Sequence, residues 1–228
     1  MGKIKALPRI RAVVFDLDGT LVDSLADIAE AVNSTLAAHG RDIHPVEAYN
    51  AMVGRGLRQL LETASVRQPF APSEVGTVFQ ELLEAYRAKP VVHTKAYDGV
   101  GTLLERLKGR IPLGVLSNKD NSMTRTIVTT LFPKVAFQTV FGSRPGKAHK
   151  PDPESLWEIL SGWGVEPSCC AYLGDSDIDM ETAQRGRVVA CGAAWGFRGE
   201  RELRQAGAAE VFPSPEAFGS WLEQRIEE

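Results

Sequence analysis

Short apolar runs alternate with helical patterns along most of this 228-residue chain. A strand that is apolar on both faces has to be buried on both, and parallel sheets achieve this when helices cover each side. Between the runs, apolar residues recur at helical spacing, as in Val100, Leu103, Leu104 and Leu107. The pattern predicts an α/β fold with a doubly wound, mostly parallel sheet. Its strands are expected at 10–15, 113–116, 137–141, 169–173, 187–190 and 210–212.

One segment interrupts this alternation. No strand pattern occurs between Ser24 and about Val92, and apolar stripes of helical period take its place. These stripes cover 25–36, 46–52, 57–64 and 73–89. The sequence therefore predicts an all-helical cap domain at 23–92, inserted into a Rossmann-like core that is formed by 1–22 and 93–228.

Composition narrows the classes of partner. The net charge is −3, which gives no support to a nucleic-acid-binding surface. No apolar run approaches the ~20 residues that span a bilayer, so no membrane association is expected. The three cysteines, Cys169, Cys170 and Cys191, fit neither a zinc site nor a disulfide framework and favour the reducing cytoplasm. No surface pattern distinguishes a monomer from a homodimer.

Acidic and polar residues stand where several of the predicted strands end. Asp16 and Asp18 follow the first strand, Ser117 and Asn118 follow the second, and Asp175 follows the fourth. Ligands of parallel α/β sheets bind in the crevice beyond the carboxyl ends of the strands. Asp179 lies in the same stretch after the fourth strand, and Lys150, which precedes a predicted helix, is placed to reach the same edge. We expect all of these side chains to meet in one crevice.

Several carboxylates in one crevice repel one another. Two unit charges ~4 Å apart cost roughly 4 kcal/mol at an effective dielectric constant near 20. Either a proton on one acid or a bound cation relieves this repulsion. The candidate ligands are all oxygens, with no His or Cys among them. This donor set favours Mg²⁺, which keeps several waters and commonly meets a phosphate.

Four motifs in order carry a resemblance to a known family. Each motif alone is also typical of a turn or of a helix cap. In order, they are DLDGT at 16–20, SNK at 117–119, KPDP at 150–153 and GDSDID at 174–179. Together they resemble the haloacid dehalogenase superfamily of phosphotransferases, and the whole chain resembles its phosphoglycolate-phosphatase-like branch. That branch has a helical cap after the first motif, and its members contain stretches similar to 54–57 and 195–198.

The resemblance implies a division of labour between the two acids of the first motif. Asp16 would be the nucleophile that becomes an aspartyl phosphate. Asp18 would be the general acid for the leaving alcohol and then the base for the attacking water. Lys150 would offset the charge of Asp16 and of the phosphate.

The same resemblance implies the binding residues. The Asp16 carboxylate, the Asp18 backbone carbonyl and Asp175 would hold Mg²⁺, with Asp179 orienting ligands or waters behind them. The phosphoryl oxygens would be bound by Ser117 and Asn118. Thr20 would support the turn. In the cap, Arg55 and Gly56 would form the loop that faces the substrate.

The predicted function is Mg²⁺-dependent hydrolysis of a small phosphorylated metabolite, a phosphoglycolate-like monoester. The alternatives are a capped phosphomutase acting on a hexose phosphate, pyrophosphate hydrolysis, and a phosphate-binding module without catalysis. The phosphomutase would use the same Asp16 and Asp18. The sequence does not identify the ester.

Overall fold

The computed structural model describes residues 9–226. Its strands are β1 (Ala12–Phe15), β2 (Val22–Asp23), β3 (Lys95–Ala96), β4 (Leu113–Asp120), β5 (Thr139–Ser143), β6 (Cys170–Gly174), β7 (Val189–Ala193) and β8 (Glu210–Phe212). Its α-helices are α1 (Leu25–Ala38), α2 (Leu57–Ala64), α3 (Val75–Ala88), α4 (Val100–Leu107), α5 (Asn121–Leu131), α6 (Glu154–Trp163), α7 (Asp177–Gly186), α8 (Gly199–Gln205) and α9 (Pro215–Glu223). Short 3₁₀ helices cover Val46–Ala51 and Pro167–Cys169.

Six of these strands form one parallel sheet in the order β5-β4-β1-β6-β7-β8. Strand β1 is fully buried, because apolar clusters cover both faces of the sheet. Its alternate side chains point to opposite faces, so Val13 and Phe15 join one cluster while Val14 joins the other. The predicted α/β fold with a parallel, doubly wound sheet is confirmed.

The second strand of the core is longer than predicted. Strand β4 continues through Ser117 to Asp120, and its register with β5 shifts between Leu116 and Asp120. An irregularity of this kind at a strand end re-aims side chains. The polar residues expected in a loop are therefore held on the end of a buried strand, which fixes their direction more tightly than a loop does.

The chain between β2 and β3 is helical and has its own apolar cluster. We call residues 25–88 the helical insert. Its cluster includes Val32, Leu61, Leu82 and Tyr49, and the core contributes Met123 from α5 to the same cluster. A separate apolar cluster agrees with an inserted unit. The division of the chain at residues 22/23 and 92/93 stays a prediction.

The two connections to the helical insert form a small ribbon that the sequence did not predict. Strands β2 and β3 are antiparallel, and Val22 pairs with Ala96. Behind them, the Asp27 carboxylate in the first turn of α1 accepts hydrogen bonds from the backbone N–H groups of Val92, His93 and Thr94 and from the Thr94 hydroxyl. Asp27 thus ties the exit of the insert to its entry.

Asp27→Asn is expected to lower the free energy of unfolding by roughly 1–3 kcal/mol at pH 7, because an amide nitrogen would face backbone donors. Burial raises the pKa of Asp27, but the hydrogen bonds from Thr94 and the backbone outweigh it, so the net pKa is lowered. The stabilisation should be complete above the ordinary pKa of an aspartate and should fade as the pH falls through the lowered value. Urea unfolding at several pH values tests this, with exposed Asp98→Asn as the control.

Candidate active site

The acids of the first and last motifs meet because their strands are neighbours. Strand β1 lies between β4 and β6, so the residues that follow β1 and β6 share one edge of the sheet. Carboxylate oxygens of Asp16, Asp175 and Asp179 all lie within 4.8 Å of one another. Lys150 enters from the loop before α6 and places its Nζ 2.7 Å from Asp16 Oδ1. The structure thus brings these four predicted residues together.

Lys150 is the buried cation of this cluster. Its ammonium donates to Asp16 Oδ1 and Asp179 Oδ1, both at 2.7 Å, and to the Tyr172 hydroxyl at 3.1 Å. Burial alone would lower the pKa of Lys150, but the carboxylates of Asp16 and Asp179 raise it well above its ordinary value. The two carboxylates thus favour the charged form of Lys150.

The acids remain in excess of this cation. Burial raises the pKa of Asp16 to about 7, and the carboxylate of Asp179 adds to that effect against the charge of Lys150. Burial also raises the pKa of Asp175 well above its ordinary value, with Asp179 and Asp16 as further causes. Three buried carboxylates that share one ammonium form a site that gains from a second cation.

The residues present fit a hard divalent cation. All the donors at this position are oxygens, which suits Mg²⁺. The turn backbone also packs against the acids. A Cβ on Gly19, whose φ is +88°, would lie 2.3 Å from Asp175 Oδ2. Only glycine allows this close approach.

Asp179 has structural partners as well. In α7 it forms a capping box with Ser176, whose backbone N–H and hydroxyl donate to Asp179 Oδ2. Its other oxygen holds Lys150. Both oxygens of Asp179 thus accept hydrogen bonds, and one of them positions the Lys150 ammonium. A part for Asp179 in metal binding stays a prediction.

Asp18 has two partners that sequence analysis did not assign. Its Oδ1 accepts from the Ser24 hydroxyl at 2.5 Å and from Lys119 Nζ at 2.8 Å. Ser24 precedes α1 as an N-cap residue should, yet its side chain makes no capping bond. Lys119 follows Ser117 and Asn118 in the second motif. Its position as a cation at the end of a predicted strand was the sequence signal that could have identified it as a partner of Asp18.

Asn118 and Ser117 were predicted to bind phosphoryl oxygens, and this stays a prediction. The Asn118 amide nitrogen donates to the carbonyls of Gly54 and Lys150, both at 3.0 Å, and its oxygen accepts from Lys150 N–H. The side chain thus joins the insert to the core. The Ser117 oxygen accepts from Lys119 N–H at 3.1 Å, which leaves its hydroxyl proton to donate.

The segment at 195–198 contacts Asp175 and the turn at Thr20. Trp195 Nε1 donates to the Thr20 carbonyl at 2.9 Å, and Phe197 N–H donates to Asp175 Oδ2 at 2.8 Å. The Thr20 hydroxyl donates to the other Asp175 oxygen at 3.4 Å, and its predicted support of the turn stays a prediction. A Cβ on Gly196 would lie 2.2 Å from the Gly19 carbonyl.

Arg198 links this segment to the helical insert. Its guanidinium donates to the carbonyls of Asn50 and Val53, the latter at 3.0 Å, and the neighbouring Phe197 ring packs on the apolar cluster of the insert. One short segment therefore contacts both Asp175 and the insert. Sequence analysis noted the segment but gave it no role.

Arg198→Gln is expected to remove these hydrogen bonds between the guanidinium and the insert. KM for a phosphate ester should rise by about 5- to 50-fold, because the lost bonds hold the insert over the crevice. The effect on kcat should be smaller, since Arg198 bonds to none of the acids. Steady-state kinetics check this prediction. Arg204→Gln is the control, because exposed Arg204 pairs with Glu200 on the same helix. Equal KM values in the two variants would contradict it.

The predicted loop of the insert reaches the crevice with one of its two residues. Gly56 lines the cavity described below, whereas the Arg55 guanidinium lies 3.2 Å from Asp177 of the core, with about half of each side chain exposed. In this structure Arg55 therefore forms an ion pair between insert and core and does not line the cavity. Contact with substrate stays a prediction for both residues.

A cavity of about 60 Å³ lies between the acids and the insert. At ~10–15 Å³ per water, it holds roughly four to six water molecules. Its polar end is lined by Asp16, Asp18, Ser117, Asn118, Lys119, Lys150, Asp175 and Ser176. The remaining lining is mainly apolar and comes from Ile28, Val53, Leu57, Leu60, Met123 and Phe197, with Tyr86 beside Lys119.

Comparison with known proteins shows the family to which the chain belongs. The model of the haloacid dehalogenase-like hydrolase family matches residues 13–193. This chain belongs to that family. It is 33% identical over 189 residues to a phosphoglycolate phosphatase from Aquifex aeolicus, which covers 82% of this chain and 86% of that one. It is also 33% identical over 221 residues to one from Rhodospirillum rubrum, with 93% and 90% covered.

Solved structures of the family share the fold. A protein of Lactobacillus delbrueckii subsp. bulgaricus, named as a candidate phosphoglycolate phosphatase, aligns with a TM-score of 0.87 at 26% identity and covers 96% of this chain and 100% of its own. A haloacid dehalogenase-like hydrolase from Streptococcus pneumoniae, at 24% identity and a TM-score of 0.83 over 93% and 98% of the chains, supports the fold alone. The resemblance drawn from the four motifs and the predicted enzyme class, a phosphoric monoester hydrolase, are confirmed by the family and its relatives.

Proposed function

We propose that the protein hydrolyses a small phosphate monoester with the help of Mg²⁺, by way of an aspartyl phosphate on Asp16. One observation carries the proposal. Asp16 lies at the end of a buried strand, bonded to Lys150 and beside Asp175, and lines the cavity beneath the helical insert. A carboxylate that is buried yet reachable, with a fixed cation beside it, is suited to nucleophilic attack on phosphorus.

Asp16 and Asp18 take different parts in this mechanism. Asp16 attacks phosphorus, the bond to the leaving oxygen breaks, and Asp18 gives that oxygen its proton. Asp18 then takes a proton from the water that attacks the phosphorylated Asp16, and inorganic phosphate leaves. Lys119 and Ser24 hold the Asp18 carboxylate in place throughout.

Two positive groups would offset the negative charge in this mechanism, the Lys150 ammonium and Mg²⁺. Lys150 stabilises Asp16 and the transferring phosphoryl group, and the hydroxyl of Ser117 donates to a phosphoryl oxygen. The carboxylates of Asp16 and Asp175 and the backbone carbonyl of Asp18 would hold Mg²⁺. The ion would supply Lewis-acid stabilisation of the phosphoryl oxygens.

The substrate is proposed to be a small phosphorylated metabolite, with 2-phosphoglycolate as the first candidate. The volume of the cavity and the names of the relatives support this choice. A cytoplasmic location belongs to the same proposal. Among residues 9–226, no helix is long and apolar enough to cross a bilayer.

The reaction is tested with p-nitrophenyl phosphate, 2-phosphoglycolate, pyrophosphate and a hexose phosphate, each with and without Mg²⁺. We expect release of phosphate that requires the metal, with 2-phosphoglycolate at the highest kcat/KM. A hexose phosphate that isomerises faster than it is hydrolysed would establish the phosphomutase instead. Tight phosphate binding with no turnover on any ester would establish the binding module.

Mg²⁺ binding is expected to raise the melting temperature of the protein. At a concentration 100 times its Kd, a ligand of the folded state adds about 2.7 kcal/mol of stability. Thermal unfolding with and without Mg²⁺ checks this without any substrate. Asp175→Asn should abolish most of the shift, whereas Asp98→Asn, on an exposed residue, should keep it. An equal shift in both variants would place the ion elsewhere.

A further inference from the structure

Two hydrogen-bond donors in the cavity keep donor capacity that the described residues do not use in full. The Tyr86 hydroxyl is buried on α3 and has no hydrogen-bond partner among the described residues. The Lys119 ammonium is also buried and donates a hydrogen bond to Asp18 Oδ1 at 2.8 Å. An ammonium carries three donors. Both side chains line the cavity beneath the helical insert.

These two donors lie next to each other. Lys119 Nζ is 4.7 Å from the centre of the Tyr86 ring. Burial raises the pKa of Tyr86 to about 12, so its hydroxyl keeps its proton. A buried hydroxyl without an acceptor is costly, and native proteins commonly pair such groups.

The other residues of the apolar cavity lining offer a ligand almost no hydrogen-bonding groups. Ile28, Leu57 and Leu60 from the insert face Met123 and Phe197 from the core. A leaving group rich in hydroxyls would lose its hydration here without finding partners. The other cations that line the cavity have acceptors already. Lys150 is bonded to Asp16 and Asp179, and Arg198 is bonded to backbone carbonyls of the insert.

We infer that Tyr86 and Lys119 form the recognition site for a carboxylate, or other acceptor oxygen, on the alcohol half of the substrate. This inference rests on the proposed hydrolase function. The position of Tyr86 and Lys119 limits where on the substrate the acceptor can stand. Lys119 touches Asp18, the acid proposed to protonate the leaving oxygen. An acceptor that Lys119 can reach therefore stands on the carbon next to the ester carbon, as in the phosphate esters of short 2-hydroxy acids.

The test compares two esters that differ in this acceptor. 2-Phosphoglycolate carries the carboxylate, and ethyl phosphate has the same two-carbon chain without it. The unmodified protein should prefer 2-phosphoglycolate in kcat/KM. Tyr86→Phe should reduce the ratio of the two kcat/KM values by about 10- to 100-fold, the size expected for a hydrogen bond to a charged group.

Tyr49→Phe is the matched control. Tyr49 is another buried tyrosine of the insert, but its hydroxyl donates to Asn33 and it is absent from the cavity lining. Removing that hydroxyl should lower stability and leave the ratio of the two esters unchanged. The control thus separates loss of a buried hydroxyl from loss of substrate recognition.

A measurement on the unmodified protein covers the case in which Tyr86→Phe fails to fold. Glycolate should inhibit p-nitrophenyl phosphate hydrolysis competitively, whereas ethanol at the same concentration should not. The inference is overturned by equal kcat/KM for the two esters, by an unchanged ratio in folded Tyr86→Phe, or by equal effects of glycolate and ethanol. If no ester is hydrolysed in an Asp16-dependent way, the proposed function fails first and the inference falls with it.

Discussion

Asp16→Asn is expected to reduce kcat for every ester on the order of 10⁴-fold or more, because the amide cannot form the covalent intermediate. The protein should remain folded. Asparagine has nearly the same shape, and its oxygen can still accept from Lys150. Burial already raises the pKa of Asp16 to about 7, so a neutral group at this position costs little near neutral pH. Phosphate release with Mg²⁺, measured beside a thermal unfolding curve, tests both parts.

Asp98→Asn provides the control for this variant. Asp98 is an exposed aspartate of the core, outside the cavity lining, and its replacement removes the same charge from the chain. It should retain kcat within about 2-fold, as expected for an exposed position. If Asp16→Asn kept more than about 1% of the activity, another group would have to attack phosphorus.

Asp18→Asn is expected to lower kcat for alkyl phosphates by about 10²- to 10⁴-fold, the usual contribution of general acid–base catalysis. The two halves of the reaction should respond differently. p-Nitrophenolate leaves without a proton, so the first step should survive with p-nitrophenyl phosphate. Hydrolysis of the aspartyl phosphate needs the Asp18 base and should become slow. Rapid mixing should then give a burst of about one p-nitrophenol per protein before slow turnover.

Ethyl phosphate gives the internal comparison for that experiment. Its leaving oxygen needs a proton from Asp18, so no burst of ethanol is expected from the variant. The asparagine oxygen can still accept from Lys119 and Ser24, which limits the disturbance of their positions. A burst with both esters, or equal loss on both, would assign the proton transfer to a different group.

Local pattern was sufficient for much of the fold. Apolar runs predicted all six strands of the parallel sheet, and helical stripes predicted the helices of the insert to within a few residues. The periodicity of buried residues and the positions of turn residues are local features of the sequence. Residues close together in the chain therefore decide where these strands and helices form. The antiparallel pair β2–β3 was missed because two residues per strand carry no period.

The same local signals predicted which acids and cations stand at the sheet edge, but gave few of their partners. Asp16, Asp175 and Lys150 were expected together because the carboxyl ends of parallel strands share one edge. The predicted roles of Asn118 and Arg55 depend on where their side chains point. The structure directs the Asn118 amide to backbone carbonyls and Arg55 to Asp177.

The sequence by itself determined the order of strands and helices, the helical insert after β1, and the set of polar residues at the sheet edge. Only the tertiary structure decided that Lys119 pairs with Asp18 across 101 positions and that Lys150 pairs with Asp16 across 134. It also decided that the buried Tyr86 hydroxyl has no hydrogen-bond partner within residues 9–226. The physical reason is the range of the forces. Periodicity records whether each residue is buried, whereas a hydrogen bond depends on the rotamer and ångström-scale position of side chains that folding brings together from distant parts of the chain.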